Sequence, residues 1–260
     1  MKKQLLTVIF IVAGFCGMAQ EKIETDRPGE TQSPILVPRG WFQAELGLEK
    51  ENNTDDDYTL EHPTALLRYG VSKKFELRLE SNVQTEYQQL IPNPKETTGL
   101  SPVEVGAKLF LAEEKGARPK TSLITQVGLP FLSSRPFRTP HLSPAFRLAM
   151  QNSITEAFDL DYNIGAEWDG ISTQPSWLYT IAPGFSLGDR WFAYVEAFGY
   201  LAKEAQPQHN LDAGFAYSLS DNSRIDLSGG VGLSPESFRN YIAVGFSFRV
   251  PVLKRMVSRQ

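Results

Sequence analysis

The sequence is poor in the residues that most often carry chemistry, since it has one cysteine and three histidines among 260 residues. Cys16 lies in the apolar N-terminal stretch, so the rest of the chain has no thiol for a disulfide framework, a thiolate metal site or a nucleophile. His62, His141 and His209 are far apart and lie in or beside polar stretches. No phosphate-binding loop or dinucleotide fingerprint is present, and we predict neither a metal nor a cofactor.

Long hydrophobic runs are missing as well. The most apolar window, residues 5–15, is too short for a membrane-spanning helix, which needs about 20 residues. It follows Lys2 and Lys3 and precedes Gly17 and Ala19, which is the arrangement of a secretory signal peptide. We therefore predict a signal peptide over residues 1–19, cleavage after Ala19 and an exported mature protein.

A surplus of positive charge is also absent. The net charge is -4 and the pI is about 5.5, and no basic cluster could follow a phosphate backbone. Binding to nucleic acid is therefore not expected. The mean hydropathy of -0.27 resembles that of a soluble protein, but alternation of apolar and polar residues hides the membrane face of a β-barrel from any average.

Strict alternation is the dominant pattern, and it is clearest near the C-terminus. Apolar residues recur at every second position over residues 211–219, 225–233 and 242–250, with polar or small residues between them. Such a period of two indicates strands with one apolar and one polar face. Soluble strands average about 5–6 residues, whereas a strand that crosses a bilayer needs about 9–11. These segments therefore favour membrane strands whose apolar face meets lipid and whose polar face lines a lumen.

The same pattern continues through most of the chain. It predicts an all-β fold, a transmembrane antiparallel up-and-down β-barrel of about 12 strands over residues 41–250. Residues 20–40 are predicted to be a periplasmic lead-in or a small plug, and residues 251–260 a periplasmic tail. We expect long loops at residues 84–99 and 130–141, and a bulge or kink at Pro183, because proline cannot donate to the hydrogen-bond ladder. The remaining predicted strands are residues 41–49, 58–69, 75–83, 103–111, 120–129, 146–151, 158–168, 177–187 and 191–201.

Charged residues gather on the polar faces of these strands. Charges in a low-dielectric wall must pair or be hydrated, so two interpretations stay open: a network of ion pairs in a nearly filled barrel, or a selective water-filled pore. Acidic residues outnumber basic ones, so an open pore would favour cations or neutral solutes. The predicted pore-lining residues are Glu76, Arg78, Glu80, Glu104, Lys108, Arg147, Asp159, Asp161, Glu196, Asp212, Asp226 and Arg249.

Catalysis has little support. His141 and Ser143 are two positions apart, which resembles the histidine and serine of a twelve-stranded outer-membrane phospholipase, but the longer signature around that pair is missing. Pro140 and Pro144 indicate a loop rather than a strand here. The acidic run at residues 55–57 could bind calcium through oxygen ligands, but a solvated loop is the more common outcome. We predict no catalytic residue and no enzyme activity.

A resemblance to one family of exported barrels is carried by residues 25–28, 37–45, 211–215, 225–228, 230–233 and 245–249. The family is that of the outer-membrane barrels associated with phenol degradation by the meta pathway, also called a "transporter" family, and the likeness covers nearly the whole mature chain. The Ala-Gln cleavage site resembles that of Bacteroidetes-type bacteria. One departure concerns the C-terminus, because barrels of this class usually end on an aromatic residue, whereas Phe248 is followed by a polar tail.

The resemblance implies an outer-membrane channel or transporter for small solutes, aromatic or apolar ones included. Its expected partners are outer-membrane lipid, the solute and the outer-membrane assembly machinery, with no nucleic acid. Two alternatives remain: a closed structural or adhesive barrel that acts through its loops, and, with less support, an outer-membrane lipid hydrolase. The expected location is the outer membrane of a Gram-negative cell, reached through the N-terminal signal peptide.

Overall fold

A computed structural model describes residues 22–203 and 205–252, and the predicted signal peptide and most of the predicted tail lie outside these residues. Two short 3-10 helices occupy Pro130–Leu132 and Arg135–Phe137. Within the described ranges no helix has the length and apolarity needed to cross a membrane. The strands of the described residues are β1 (Trp41–Asn52), β2 (Tyr58–Ser72), β3 (Phe75–Gln88), β4 (Lys95–Leu100), β5 (Val103–Ala112), β6 (Lys120–Leu129), β7 (Ser143–Thr155), β8 (Phe158–Glu167), β9 (Ser176–Leu187), β10 (Trp191–Ala202), β11 (Gln208–Ser220), β12 (Ser223–Gly232) and β13 (Asn240–Pro251).

Twelve of these strands close into one antiparallel barrel. Each strand pairs with its neighbours in the chain, except that β3 pairs with β5 as well as with β4. The ring is closed by β1, which pairs with β13 from Trp41↔Pro251 to Asn52↔Asn240. The prediction of a closed antiparallel barrel of about twelve strands is therefore confirmed.

The alternation of residues in the sequence corresponds to the inward and outward faces of the barrel. On β12, Arg224, Asp226 and Ser228 are buried, whereas Ile225 and Leu227 between them are 43% and 47% exposed. Because successive side chains of a strand point to opposite faces, each of the twelve barrel strands turns an apolar row outward. An outward row of Leu, Ile, Val and Phe around a closed sheet is the surface that a bilayer covers.

The two ends of the barrel differ. Connections at one end, called the turn end, comprise residues 73–74, 113–119, 156–157, 188–190 and 221–222. The start of β1 and the end of β13 lie at this same end. The opposite end, called the loop end, carries longer connections that include residues 130–142, 168–175 and 233–239. Outer-membrane barrels have short turns on the periplasmic side and longer loops outside, so the asymmetry fits that class.

Two local predictions are wrong. Residues 84–99 are largely a β-hairpin rather than a loop, because β3 continues to Gln88 and β4 pairs back onto it from Val83↔Leu100 to Gln88↔Lys95. Pro183 causes no bulge, since the register of β9 with β8 runs unshifted through Leu160↔Pro183. Pro183 shows no pairing with β10, so its missing N–H interrupts one ladder without changing the register.

Residues 22–40, called the N-terminal segment, lie inside the barrel and form no helix or strand. The segment starts at the turn end, where the backbone N–H of Ile23 donates to the carbonyl of Asp221 (2.8 Å). It passes between the inward faces of the strands and returns to the turn end, where the N–H of Gly40 donates to the carbonyl of Gly70 (2.7 Å). The core of this protein is therefore a polar contact between the segment and the wall, and not an apolar interior.

Candidate functional site

Six charged side chains form a buried cluster between the N-terminal segment and the wall. Asp26 Oδ2 lies 2.6 Å from Arg78 Nη1 and 3.6 Å from Arg68 Nη1, and Asp26 Oδ1 lies 3.0 Å from Lys108 Nζ. Arg68 also contacts Glu45 and Glu76, each at 2.8 Å. This ion cluster consists of Asp26, Glu45, Arg68, Glu76, Arg78 and Lys108.

The ion cluster balances three cations against three carboxylates. Burial raises the pKa of Asp26, but Arg68, Lys108 and Arg78 oppose it and hold that pKa well below its ordinary value. Asp26 is therefore a carboxylate at neutral pH, and it supplies the one negative charge of the cluster that comes from the segment rather than from a strand. Removing one partner of a buried ion pair leaves the other charges uncompensated, so Asp26 ties the segment to three strands, β2, β3 and β5.

Wall carboxylates also satisfy the backbone of the segment. Glu45 Oε2 accepts from the N–H groups of Asp26 (2.9 Å) and Arg27 (3.2 Å), and Glu76 Oε2 accepts from Val37 (2.7 Å). A chain without regular structure has no internal partners for its N–H groups, and buried N–H groups need partners. The inward carboxylates of β1 and β3 therefore fix the path of the segment as well as its charge.

A second group of contacts holds the apex of the segment against the far wall. Arg147 Nη2 lies 2.7 Å from Glu30 Oε1, and Glu196 accepts from the N–H of Glu30 (2.8 Å) and from the hydroxyl of Thr31. The Thr31 and Thr180 hydroxyl oxygens are 2.6 Å apart. The segment thus contacts β7, β9 and β10 as well as β1, β2, β3 and β5, and it crosses the whole lumen.

Arg27 is seated where the barrel closes. Its Nη2 lies 3.3 Å from Asp226 Oδ1 on β12. A Cβ at Gly47 of β1 or at Gly245 of β13 would collide with the Arg27 guanidinium, so both positions admit only glycine while Arg27 is in place. The adjacent glycines, paired as Gly47↔Gly245, form the floor on which Arg27 rests.

Open space remains on the loop-end side of the segment. A cavity of about 740 Å³, called the outer chamber, is bounded by Glu30 and Gln32 of the segment and by Glu80, Glu104 and Arg147 of the wall. A second cavity of about 350 Å³, called the acidic chamber, lies between the segment, β1, β2 and the aromatic side chains Phe198, Phe238 and Tyr241. Both chambers have the segment as part of their floor.

Strand register places all twelve predicted pore-lining residues on the inward side of the barrel. Glu76, Arg78 and Lys108 meet in the ion cluster, and Glu80 and Glu104 lie opposite each other and share Gln126 as a donor. The other members are dispersed: Arg147 and Glu196 hold the apex, Asp226 holds Arg27, and Tyr241 donates to Asp212. Asp159 and Asp161 line the turn-end side of β8, and Arg249 donates to Asn222 in a turn (2.9 Å). Whether these residues line an open pore stays a prediction.

Sequence analysis missed the residues of the segment that the wall binds, namely Asp26, Arg27 and Glu30. The available signal was an excess of basic over acidic side chains at one level of the wall. Three inward bases, Arg68, Arg78 and Lys108, lie there beside two inward acids, Glu45 and Glu76. Such a surplus inside a barrel requires a negative partner from elsewhere in the chain.

The alternative chemical sites are not assembled. Among the described residues His141 and Ser143 share no side-chain hydrogen bond, and the N–H of His141 donates to the carbonyl of Gly170 (3.0 Å). Asp55 pairs with Arg239, and Asp57 accepts from the N–H of Gln89 (2.7 Å), so two acids of the 55–57 run already have partners. Over residues 22–203 and 205–252 no group of three acidic, histidine or cysteine side chains is placed to hold a metal.

A family model described as "Putative MetA-pathway of phenol degradation" matches residues 25–250. The chain belongs to this family. The match begins at Thr25 and so includes most of the N-terminal segment as well as the barrel. It confirms the resemblance drawn from the sequence. No curated protein matches the chain.

Solved structures share the fold at low sequence identity. An outer-membrane channel from Pseudomonas putida F1 has a TM-score of 0.67 at 11% identity, covering 86% of this chain and 99% of that chain. The NanC porin has a TM-score of 0.54 at 7% identity, covering 80% and 100%. The KdgM porin has a TM-score of 0.52 at 10% identity, covering 79% and 98%. The likenesses show that this family member has the fold of outer-membrane channels and porins.

Proposed function

We propose that this protein is an outer-membrane channel for small solutes, aromatic ones included, and that its N-terminal segment is a plug. The observation that carries the proposal is the arrangement of the lumen. Two chambers stand on the loop-end side, and a segment with no secondary structure separates them from the turn end. A barrel kept for structure alone has no need of polar cavities of this size beside an irregular segment.

The family and its structural neighbours agree with this proposal. The family description concerns phenol degradation, and two of the neighbours are named as porins and a third as an outer-membrane channel. The turn end would then face the periplasm and the loop end the outside. The N-terminal signal peptide, the outer-membrane assembly machinery and surrounding lipid complete the proposed route to the membrane.

A second candidate is a closed barrel that acts through its loops. The ion cluster favours it, because six paired charges seal the lumen near β2, β3 and β5. In that case the hairpin of β3 and β4 and the loop at residues 130–142 would carry the activity. We propose no enzyme activity, since His141 and Ser143 form no catalytic pair.

Removing the plug distinguishes the two candidates. Deletion of residues 24–37 leaves the strands and the signal peptide intact, and the refolded barrel is reconstituted in liposomes and in planar bilayers. We expect large, steady conductance and rapid uptake of small sugars and phenol by the deleted form, and low values for the full chain. Loss of heat-modifiable gel mobility would reveal misfolding. A folded, deleted barrel without conductance would refute the channel and support the closed barrel.

A further inference from the structure

The acidic chamber is lined by carboxylates on one side and by aromatic rings on the other. One side carries Glu49 and Glu51 of β1, Glu61 of β2 and Glu80 of β3. The other side carries Phe198, Phe238 and Tyr241. Sequence analysis assigned none of these to the pore except Glu80. The ion cluster and the plug contacts do not account for this part of the lumen.

The carboxylates of this chamber are placed against one another. Glu49 is the direct cross-strand partner of Glu61, and Glu80 is the direct partner of Glu104. Like charges directly opposite each other on a sheet are destabilising, so this arrangement costs stability unless a cation offsets it. Within the described ranges Glu49, Glu51 and Glu61 form no ion pair, and Arg27, the base on the chamber wall, is paired with Asp226.

A buried carboxylate oxygen on the aromatic side of the chamber lacks a hydrogen-bond donor among the described residues. Asp212 is 5% exposed and lines the chamber. The Tyr241 hydroxyl donates to its Oδ2. Its Oδ1 has no hydrogen-bond donor within the described ranges. A buried carboxylate oxygen without a donor loses free energy, and the positive charge of a cation bound beside it would offset part of that loss.

The aromatic side chains line the same space and pack on one another. Phe238 comes from the loop between β12 and β13 and stacks on Phe198 with ring centroids 6.3 Å apart. It also meets Tyr241 edge-on at 5.5 Å. Ring faces attract cations, and they attract weakly hydrated organic ammonium groups most usefully because such groups leave water at low cost.

We propose that the acidic chamber binds an organic cation, a quaternary or protonated amine that carries an aromatic or apolar group. The carboxylates would offset its charge, and Phe198, Phe238 and Tyr241 would cover its apolar part. A metal ion fits less well, because no three acidic groups of the described chain converge as metal ligands do. The inference deepens the proposed function by naming a solute class, and it rests on that function only for the solute's passage.

Binding is measured without transport, on the full chain refolded in a nonionic detergent. Benzyltrimethylammonium is titrated calorimetrically against benzyl alcohol as the uncharged comparison. We expect saturable binding of the cation alone. The double variant Glu49→Gln with Glu61→Gln should weaken it about tenfold or more. Phe238→Leu, which changes no charge, should weaken it about threefold.

The controls separate this site from general negative charge. Glu156→Gln removes an exposed carboxylate in a turn-end connection and should leave the Kd unchanged. Thermal unfolding checks that the variants fold, and the double Gln variant should be at least as stable as the native chain, because it removes a like-charge pair. Calcium chloride is titrated in parallel, and Phe238→Leu should matter for the organic cation only.

Three outcomes would overturn the inference: equal binding of the cation and the alcohol, no effect of the double Gln variant, or tight calcium binding that displaces the organic cation and ignores Phe238→Leu. Conductance is recorded in parallel on the barrel lacking residues 24–37, which is refolded in the same way. Conductance without cation binding would refute this site and leave the channel standing. Cation binding without conductance would refute the channel and leave the site.

Discussion

Replacing Asp26 by asparagine tests whether charge holds the plug. The substitution keeps the size of the side chain and its ability to accept from the N–H of Ser33 (3.0 Å). It removes the carboxylate that faces Arg78, Lys108 and Arg68 at 2.6, 3.0 and 3.6 Å. The strands themselves are unchanged, so the perturbation acts on the contact between the segment and the wall.

The size of the effect follows from the charge balance of the ion cluster. Asp26, Glu45 and Glu76 offset Arg68, Arg78 and Lys108, and without Asp26 one buried positive charge is uncompensated. Breaking a buried pair from one side costs about 3–5 kcal/mol. Since about 1.4 kcal/mol is a factor of ten, the ratio of open to closed barrels should rise roughly 100- to 1,000-fold or more.

The measurement is single-channel recording of the folded protein in planar bilayers, with Asp56→Asn, an exposed loop variant, as the matched control. Asp26→Asn should show long open events of the same amplitude as the barrel lacking residues 24–37. The control should remain closed like the native chain. If folded Asp26→Asn stays as closed as the native chain, the ion cluster does not hold the plug, and the argument from buried charge is wrong.

Three further predictions follow from the same structure. Thr31→Cys with Thr180→Cys should form a disulfide in place of the 2.6 Å contact of the two hydroxyls and keep the Asp26→Asn barrel closed until a reductant is added. If the oxidised triple variant conducts as much as Asp26→Asn alone, the docked position of the apex is wrong. Val195→Lys places a charge on the middle of the outward face of β10 and should lower the free energy of unfolding in vesicles by about 2–4 kcal/mol. Val252→Lys, at the turn end, should lower it by about 0–1 kcal/mol. Equal losses of stability would refute the lipid-facing assignment. Acid should not release the plug, because the basic neighbours of Asp26 lower its pKa and its contribution to docking is lost only well below the ordinary value of 3.8. Burial raises the pKa of Glu24, so protonation of Glu24 favours docking more strongly as the pH falls. Channel opening between pH 7 and pH 4 would contradict both of these pKa directions.

The barrel could be predicted because its strands obey one local rule. Residues 242–250, for example, alternate without exception, and the strand observed there runs from Asn240 to Pro251. The hairpin of β3 and β4 breaks the rule, because it extends beyond the apolar belt and has no lipid face to satisfy. Its two strands are joined by polar contacts such as that of the Thr85 and Thr98 hydroxyls at 2.7 Å, and Tyr58 of β2 stacks on Tyr87 of β3 at 5.1 Å. Alternation alone gives no indication of such a hairpin.

The position of the N-terminal segment could not be predicted from local pattern either. It has no period, and its partners are distant in sequence: Asp26 contacts Lys108, and Arg27 contacts Asp226. The inward charges of the strands were recognised from the alternation of apolar and polar residues. Alternation does not say whether an inward charge contacts water, another wall residue or the N-terminal segment. Only the three-dimensional path of residues 22–40 settles which inward charges are engaged.

The seat of Arg27 has a consequence for the order of biogenesis. Its floor joins Gly47 of the first strand to Gly245 of the last, and its ionic partner Asp226 lies on the strand before. That seat does not exist until the final hairpin has met the first strand. Docking of Arg27 must therefore follow the pairing of the last strand with the first, so this part of the N-terminal segment reaches its final position only in a closed barrel.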